Sequence, residues 1–283
     1  MTGRWLVTGA GGMLGRDLVA VLAGRGLPAT ALTRADLDLC DAQAVAAAIP
    51  GHDVVVNAAA WTNVDGAETD YEAALAVNGT AVAHLAAACG RAGARLLHVS
   101  TDYVFAGDAT SPYPEDAPTD PVNAYGRSKL AGERAVLGAG GYVVRTAWLY
   151  GAHGGNFVRT MLRLAGEREV VEVVDDQRGQ PTWSYALAER LVDLGAAAQA
   201  PPGVYHGTAA GETTWHGLAR AVFAGAGLDP DRVRPITSDR FVRPALRPSY
   251  SVLGHGRWAA AGLPPLPDWE SMLKAALPTL LAS

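Results

Sequence analysis

A glycine-rich turn that joins a short apolar strand to a helix restricts the fold of this sequence more than any other feature. Residues 7–15 (VTGAGGMLG) follow the strand-like run 4–8 and open the helical run 13–22. Glycines let such a turn bend tightly and let its backbone approach a pyrophosphate at the helix N-terminus. The spacing is GxxGxxG rather than GxGxxG. It predicts a dinucleotide-binding unit whose cofactor contacts are Gly9, Gly11, Gly12, Met13, Leu14 and Gly15.

Strand-like runs alternate with Ala- and Leu-rich helical runs through the first half of the chain. After the turn we predict strands at 28–32, 53–57, 95–99 and 142–145, and helices at 42–48, 67–91 and 124–137. Such alternation predicts the α/β class, with a Rossmann-type, doubly wound parallel sheet covered by helices on both faces. We therefore assign residues 1–150 to a dinucleotide-binding domain.

The alternation becomes less regular after residue 150. We predict helices at 156–167, 185–197, 215–226 and 269–281, and short strands at 170–174 and 204–206. Residues 151–283 are therefore expected to form mainly a smaller C-terminal lobe. We expect the segment of about 156–200 to pack back on the Rossmann core.

The ends of the second and third predicted strands indicate which dinucleotide binds. Thr33 and Arg34 follow the second strand, where an acidic residue is expected if a ribose 2′-hydroxyl is recognised. A hydroxyl and a guanidinium suit a 2′-phosphate instead, which favours NADPH while leaving NADH possible. The small residues after the third strand leave space for the cofactor. We predict further contacts from Asp38, Leu39, Ala58, Ala59 and Ala60.

A tyrosine and a lysine lie four residues apart in the predicted helix 124–137. Tyr125 and Lys129 therefore lie on one helical face, about one turn apart. A nearby ammonium is expected to lower the pKa of the tyrosine, so that Tyr125 can donate a proton to a carbonyl oxygen as hydride arrives. The hydroxyl of Thr101, just after the strand 95–99, can donate to the same oxygen. We expect Tyr125 and Lys129 also to contact the cofactor, with Lys129 bonding the nicotinamide ribose.

Charge and cysteine content exclude several other classes of protein. The formal net charge is -5, and no run of basic residues predicts binding to nucleic acid or to an anionic membrane. The two cysteines, Cys40 and Cys89, suit neither a disulfide framework nor a metal site. No secretory leader and no apolar run of spanning length is evident in the sequence. We expect a cytoplasmic protein with a small-molecule substrate.

The sequence resembles the dTDP-4-dehydrorhamnose reductases, which are extended short-chain dehydrogenases. The resemblance rests first on residues 57–65 (NAAAWTNVD), 100–105 (STDYVF) and 125–133 (YGRSKLAGE). It continues through 145–148 (RTAW), 156–157 (NF), 176–177 (DQ), 181–182 (PT), 205–206 (YH), 213–215 (TTW), 247–248 (RP) and 266–269 (LPDW). The resemblance therefore covers almost the whole chain, including the lobe that binds the sugar nucleotide in this family.

This resemblance implies a reaction and a set of site residues. The reaction is NADPH-dependent reduction of the C4 ketone of a dTDP-4-keto-6-deoxyhexose, most simply dTDP-4-dehydro-L-rhamnose to dTDP-L-rhamnose. The catalytic residues implied are Thr101, Tyr125 and Lys129. The substrate contacts implied are Thr101, Asp102, Trp148 and Asn156, with Arg247, or Arg243 near it, at the diphosphate.

One departure from the family concerns metal. Some members dimerise through Mg²⁺ held by glutamates, whereas this sequence has Arg16 and Asp17 in the first helix and 183–185 (WSY) later. We therefore predict no required metal and either a monomer or a homodimer. His84, His98 and His206 have no paired metal-ligand spacing, and we interpret them as structural or surface residues.

Four other functions share much of this pattern. A 4,6-dehydratase or an epimerase would keep the cofactor and the Tyr/Lys pair, but a dehydratase is expected to carry an acid where this chain has Tyr103. A 4-ketoreductase of antibiotic deoxysugar biosynthesis would have almost the same motifs. The regulatory subunit of methionine adenosyltransferase also resembles this family, although the presence of Thr101, Tyr125 and Lys129 favours catalysis.

Overall fold

Six parallel strands form the centre of the computed structural model, which describes residues 3–282. The strands of the chain are β1 (Trp5–Thr8), β2 (Ala29–Leu32), β3 (Val54–Asn57), β4 (Arg95–Thr101), β5 (Tyr142–Thr146), β6 (Leu149–Tyr150), β7 (Val171–Val174), β8 (Arg178–Gly179), β9 (Thr182–Trp183), β10 (Gly203–His206), β11 (Thr213–Thr214) and β12 (Val233–Ile236). The central sheet has the order β10-β5-β4-β3-β1-β2, and all its pairs are parallel. The α/β prediction is therefore confirmed.

Helices cover both faces of this sheet and build the second lobe. They are α1 (Met13–Gly24), α2 (Ala42–Ala48), α3 (Val64–Thr69), α4 (Tyr71–Leu75), α5 (Ala81–Ala92), α6 (Ala124–Gly138), α7 (Phe157–Glu167), α8 (Ser184–Ala196), α9 (Trp215–Gly225) and α10 (Trp269–Leu281). The strand order reverses between β1 and β3. Ligands of doubly wound sheets bind in the crevice at such a reversal, at the carboxyl ends of the strands.

The side chains of the central strands alternate between two apolar cores. Val7, Val56 and Val144 face the core that includes α1 and α8, while their neighbours Leu6, Val55 and Val143 face the core that includes α2 and α5. A strand buried on both faces needs apolar residues at successive positions, and these strands have them. The sheet therefore holds the carboxyl ends of its strands rigidly at one edge.

The second lobe has its own apolar core, formed by α7, α9 and α10 with the strand pair β7 and β12. Within residues 156–200, α7 belongs to this core, whereas α8 packs against α1 on the sheet. Strand β10 then pairs with β5 and completes the sheet from beyond residue 150. The chain therefore crosses between the two parts more than once.

The single helix predicted over 67–91 is wrong, because the structure divides this region. Helix α3 ends at Thr69, and the Asp70 carboxylate then caps α4 by accepting the Ala73 N–H at 3.2 Å. A π-helical turn, Ala76–Thr80, separates α4 from α5. Asn78 in this turn bonds both the N–H and the carbonyl of Trp61, which fixes the segment after β3.

The expectation that no apolar run reaches spanning length is also wrong. The helical stretch Tyr71–Ala92 is 22 residues long and apolar enough to cross a membrane by length and composition alone. In the structure, Val82, Leu85 and Cys89 of this stretch are buried in the core beside the sheet. The apolar composition therefore has a use in the packing of the fold.

Candidate active site

The glycine turn brings the backbone of β1, the start of α1 and the end of β3 into close contact. Gly9 has a φ of +70°, and a Cβ added there would lie 2.6 Å from the Ala59 amide nitrogen. A Cβ on Gly15 would lie 2.1 Å from the Gly9 carbonyl oxygen. The N-cap of α1 is Gly12, which has no side chain to bond the first N–H groups of the helix. These groups fit a pyrophosphate.

Met13 and Leu14 begin α1 in different surroundings. Leu14 is buried in the core beside the sheet, so only its backbone can face a ligand. Met13 is partly exposed and lies against the loop at Gly151. A ligand contact at Leu14 would therefore involve its backbone, and one at Met13 would involve the start of the helix.

Gly15→Ala is expected to abolish tight cofactor binding, because the new methyl group would overlap the Gly9 carbonyl and displace the turn. Gly24→Ala at the other end of α1 is the matched control, because nothing lies within 4 Å of its added Cβ. Replacing a helical glycine at a strain-free position stabilises a protein by about 0.4–1 kcal/mol. Titration of NADPH by fluorescence tests both variants; equal loss of affinity in both would contradict the close-approach argument.

The turn after β2 contains the predicted residues Thr33 and Arg34 together with Asp36, an acid that the sequence analysis does not predict as a site residue. The Asp36 carboxylate accepts the N–H of Thr33 at 2.9 Å and its hydroxyl at 2.6 Å. These bonds hold the pKa of Asp36 below its usual value. Arg34 is exposed beside this turn, and the Asp38 carboxylate accepts the Cys40 N–H. The hydroxyl of Thr33 is thus engaged within the turn, whereas the Arg34 side chain is exposed.

The remaining predicted cofactor contacts near these strand ends are Leu39 and the three alanines that follow β3. Leu39 is partly buried against the core that contains α2. Ala58 donates its N–H to the Thr8 carbonyl and Ala59 donates its own to the Asn57 side chain, so both alanines are fixed beside the glycine turn. Ala60 is partly exposed at the same edge.

Tyr125, Thr101 and Asp102 lie together at the carboxyl end of β4. The Thr101 hydroxyl donates to an Asp102 carboxylate oxygen at 2.9 Å and accepts the Tyr103 N–H at 3.1 Å. The ring of Tyr103 then meets the ring of Tyr125 edge-on, with centroids 5.9 Å apart. The strand end and the first turn of α6 therefore supply one cluster of hydroxyl and carboxyl groups.

Two local features bring α6 close to this strand end. Asn123 caps the helix by accepting the Gly126 N–H at 2.8 Å. A Cβ on Gly126 would lie only 2.1 Å from the Tyr103 carbonyl oxygen, so a glycine is needed for the helix to approach the turn after β4. This approach places the Tyr125 phenol beside Thr101.

The expectation that Lys129 lowers the pKa of Tyr125 is wrong. Burial raises the pKa of the Tyr125 phenol, the nearby Asp102 carboxylate raises it further, and a bond to Thr101 lowers it. The Lys129 ammonium has other partners, because its Nζ donates to the Val99 carbonyl at 2.7 Å and lies 3.3 Å from His98 Nε2. Tyr125 therefore holds its proton firmly.

Lys129 is itself buried, with 1% of its surface exposed. Burial lowers the pKa of Lys129 to about 8, although the neighbouring Glu133 carboxylate raises it. Glu133 is held in turn by Arg145 on β5 through two hydrogen bonds. The Lys129 ammonium therefore loses its proton closer to neutral pH than an ordinary lysine does.

Asp102 is a buried carboxyl group with an unusual affinity for protons. Burial raises the pKa of Asp102 to about 6, partly offset by the Ser251 and Thr101 hydroxyls. Its second oxygen, Oδ2, has no partner within hydrogen-bonding geometry in residues 3–282, although the Ser251 hydroxyl lies near the carboxylate. This oxygen is therefore available to a hydroxyl group of a ligand.

Asp102→Asn is expected to stabilise the folded protein more at pH 7 than at pH 4. Because the pKa of Asp102 is raised in the folded state, its favourable contribution is present below pH 4 and is lost as the pH rises through about 6. Between pH 4 and pH 7, the difference in unfolding free energy between the two proteins should change by at most about 3 kcal/mol, because the pKa of Asp102 is raised from 3.8 to about 6. Urea unfolding of both proteins at the two pH values tests this; a difference that is independent of pH would contradict it.

Trp148 has a strained backbone and one covered face. Its φ is +47°, a left-handed conformation that costs a non-glycine residue about 1–3 kcal/mol. One face of its indole stacks on Trp215 of α9, with centroids 3.6 Å apart and planes inclined by 10°. A Cβ on Gly179 would meet the edge of the same ring at 2.5 Å. Only the remaining surface of Trp148 is available to a sugar.

The other two predicted substrate residues are engaged within the protein. Asn156 caps α7 by accepting the Arg159 N–H at 3.1 Å, and its amide donates to the Gly151 carbonyl at 2.8 Å. Arg247 donates to the Asp65 carboxylate at 2.6 Å, and this bond lowers the pKa of Asp65. A ligand diphosphate would therefore compete with Asp65 for Arg247.

Arg243 is the second arginine that the sequence analysis proposes for the diphosphate. Arg243 lies 3.4 Å from the same Asp65 carboxylate, so both candidate arginines converge on one acid.

Among the residues described, no group of three or more His, Cys, Asp or Glu side chains is placed to hold a metal ion. Cys40 and Cys89 are both free thiols.

The sequence analysis does not predict two buried polar residues next to this site, Asn57 and Asn78, and it interprets His98 only as structural or surface. Asn57 bonds His98 at 2.9 Å across adjacent strands, and His98 lies beside Lys129. Asn78 bonds the hydroxyl of Ser128, which is on the same helix as Tyr125 and Lys129, at 3.0 Å. The signal for Asn57 is its position at the end of an apolar strand, since strand ends in parallel sheets meet at one edge. His98 lies within β4 and Asn78 in the π-helical turn, so this signal does not mark them.

Comparison with known proteins identifies the family. The family model described as "RmlD substrate binding domain" matches residues 3–282. A Streptomyces griseus protein named dTDP-4-dehydrorhamnose reductase is 55% identical, over 98% of this chain and 94% of that protein. A Streptomyces niveus protein named dTDP-4-keto-6-deoxy-D-glucose reductase is 54% identical, over 100% and 99%.

A solved structure extends this similarity to the whole fold. The dTDP-4-dehydrorhamnose reductase of Bacillus anthracis, solved in complex with NADP, superposes with a TM-score of 0.93. It is 34% identical in sequence, and the match covers 98% of this chain and 99% of that chain. The chain therefore belongs to the RmlD substrate binding domain family, that of the dTDP-4-dehydrorhamnose reductases.

Proposed function

We propose that this protein is an NADPH-dependent reductase of the C4 ketone of a dTDP-4-keto-6-deoxyhexose. The favoured reaction converts dTDP-4-dehydro-L-rhamnose into dTDP-L-rhamnose. The observation that carries the proposal is the cluster of Thr101, Tyr125 and Lys129 at the carboxyl edge of the sheet, beside the glycine turn. Relatives named as reductases of such sugars match the chain at more than half of its positions, and one related structure holds NADP.

The residues at the edge of the sheet fit a nicotinamide dinucleotide. The uncapped start of α1 and the close packing at Gly9 and Gly15 leave the backbone open for the pyrophosphate. Arg34 would meet the 2′-phosphate, and Lys129 would bond the nicotinamide ribose. NADPH supplies the hydride that is transferred to C4 when it is bound.

Proton transfer to the sugar would be the work of Tyr125. Because burial raises the pKa of the phenol, Tyr125 keeps its proton until negative charge develops on the carbonyl oxygen. An alkoxide is a stronger base than a phenolate, so the transfer is then favourable. The Thr101 hydroxyl would turn from Asp102 to donate to the same oxygen. Asp102 and the free surface of Trp148 would meet the hexose.

The remaining predicted contacts concern the ends of the substrate. Arg247 would bind the diphosphate through its planar donor groups, in competition with the Asp65 carboxylate that it contacts in this structure. Asn156 would act mainly through the loop that it fixes at Gly151. We retain the expectations of a cytoplasmic enzyme, either monomeric or homodimeric, with no required metal and no nucleic-acid or membrane partner.

A reductase of antibiotic deoxysugar biosynthesis is the second candidate. The Streptomyces niveus relative is named for reduction of dTDP-4-keto-6-deoxy-D-glucose. Its match to this chain covers both sequences as fully as the match to the Streptomyces griseus reductase does. The same proton donor serves either sugar, because the stereochemistry depends on how the hexose lies. A regulatory subunit without catalysis is less well supported, since the three catalytic residues are present and lie together.

Turnover with both sugars tests the proposal. Purified protein with NADPH is incubated separately with dTDP-4-dehydro-L-rhamnose and dTDP-4-keto-6-deoxy-D-glucose, and NMR coupling constants of the sugar ring identify each product. Faster turnover of the first sugar, with dTDP-L-rhamnose as product, is expected. Preference for the second sugar would favour the second candidate. Absence of turnover with either, in folded protein that binds NADPH, would overturn the reductase function.

A further inference from the structure

A row of buried polar side chains crosses the sheet and ends at Lys129. Thr8 on β1 is in register with Asn57 on β3, and Asn57 is in register with His98 on β4. Partners in register point to the same face of a sheet. Their exposed fractions are 1%, 0% and 0%, so bulk solvent does not reach these groups. The row therefore depends on its own hydrogen bonds.

The direction of these hydrogen bonds is set by one backbone group. The Asn57 side-chain oxygen accepts the Thr8 hydroxyl at 2.7 Å and the Ala59 N–H at 3.1 Å. A backbone N–H can only donate, so it fixes which end of the Asn57 amide is the oxygen. The Asn57 NH₂ group must then donate to His98 Nδ1 at 2.9 Å.

This bond decides where the neutral imidazole carries its proton. A nitrogen that accepts a hydrogen bond is unprotonated, so the proton of His98 lies on Nε2. Burial keeps the ring neutral, because it lowers the pKa of His98 well below its ordinary value, and the Lys129 charge lowers it further. His98 Nε2–H then points toward Lys129 Nζ, 3.3 Å away.

An N–H group in this position disfavours the charged form of the lysine. An ammonium has donors only, whereas a neutral amine has a lone pair that can accept from Nε2–H. The other charged groups near Lys129 are Glu133, which pairs with Arg145, and Asp102, which lies beyond Tyr125. The Glu133 carboxylate opposes the effect of the imidazole by stabilising the ammonium.

We propose that His98, oriented by Asn57, is a positioning residue that makes the Lys129 ammonium ready to release its proton. This role rests on the proposed function, in which Tyr125 gives a proton to the substrate in each turnover. The Lys129 ammonium would then return a proton to the Tyr125 phenolate, directly or through an intervening hydroxyl, which yields phenol and neutral amine. Water would afterwards reprotonate the amine.

The amino-acid sequence allows this proposal to be tested without substrate or cofactor. The chain contains two lysines, Lys129 and the exposed Lys274, so ¹³C-lysine labelling gives two side-chain signals to titrate. ¹⁵N-histidine labelling reports which ring nitrogen of His98 carries the proton, and the signal is assigned with His98→Phe. We expect the proton on Nε2 and a pKa for Lys129 well below the ordinary value of a lysine. A proton on Nδ1 would overturn the proposal.

Asn57→Asp reverses the direction of the row and gives a second test. A carboxylate accepts from His98 Nδ1–H, so Nε2 becomes an acceptor for the Lys129 ammonium. The pKa of Lys129 should rise by at least about one unit, and the pH dependence of kcat should move upward with it. A reversed proton position with no change in the pKa of Lys129 would overturn the proposal. If this variant does not fold, the wild-type proton position still decides.

Thr8→Val is the matched control. It removes the Thr8 hydroxyl but keeps the Ala59 N–H that orients the Asn57 amide, so the proton of His98 and the pKa of Lys129 should stay unchanged. A reversed proton in this variant would show that Ala59 does not set the direction and would overturn the proposal. Failure of the reductase assay would overturn the proposed function alone, because these titrations require no turnover.

Discussion

Tyr125→Phe lowers kcat for ketone reduction by about 10²–10⁴-fold, the usual contribution of a positioned general acid. The substitution removes one oxygen atom and keeps the ring that packs edge-on against Tyr103. The glycine turn that would hold the pyrophosphate is unaffected, so the Kd for NADPH should be almost unchanged. Stopped-flow measurement of NADPH oxidation with dTDP-4-dehydro-L-rhamnose gives the rate, and fluorescence titration gives the Kd.

Tyr103→Phe is the control for this experiment. Its ring also lies at the end of β4 and is half-buried, but the Thr101 hydroxyl contacts the backbone N–H of Tyr103 rather than its phenol. This variant should keep most of its turnover. An equal loss in both variants, or full activity of Tyr125→Phe, would contradict the assignment of Tyr125 as the proton donor.

Glu133→Gln is expected to reduce the free energy of unfolding by about 3–5 kcal/mol, as removal of one partner from a buried ion pair does. The two carboxylate oxygens of Glu133 accept from Arg145 at 3.0 and 2.7 Å, and both side chains are buried. The neutral amide leaves the guanidinium of Arg145 without a counter-charge between α6 and β5. Urea unfolding at pH 7 measures the loss.

Glu167→Gln supplies the matched comparison on the surface. Glu167 pairs with Arg163 one turn away on α7, but the two side chains are 51% and 59% exposed. Exposed pairs of this kind contribute about 0.3–0.5 kcal/mol. A similar loss for both variants would mean that burial does not determine the contribution of the Glu133 pair.

The elements that sequence predicted well are those whose signal is local. The last helix was predicted at 269–281, and α10 has these bounds because Asp268 caps its first turn and the apolar residues recur with helical spacing. The first glycine turn was likewise marked by its own residues. The prediction of a single helix over 67–91 is wrong because a cap at Asp70 and the π-helical turn around Asn78 interrupt this mainly apolar run.

The site was less predictable because its partners lie far apart in the chain. Tyr125 and Thr101 could be paired from motifs, but Arg247 meets Asp65, 182 residues earlier, and Trp148 meets Trp215. The pKa of Tyr125 could not be predicted from the spacing to Lys129, because burial outweighs a charge that faces Val99 and His98. Such effects depend on tertiary packing rather than on spacing.

The late arrival of β10 in the chain has a consequence for synthesis of the protein. Until residues 203–206 leave the ribosome, β5 remains an unpaired edge of an otherwise assembled sheet. Its neighbouring side chains Val143 and Val144 are fully buried in the finished protein, so the nascent edge exposes apolar groups that attract other chains. A chain released at residue 150 should therefore aggregate, although it contains the entire glycine turn and the Tyr125–Lys129 pair.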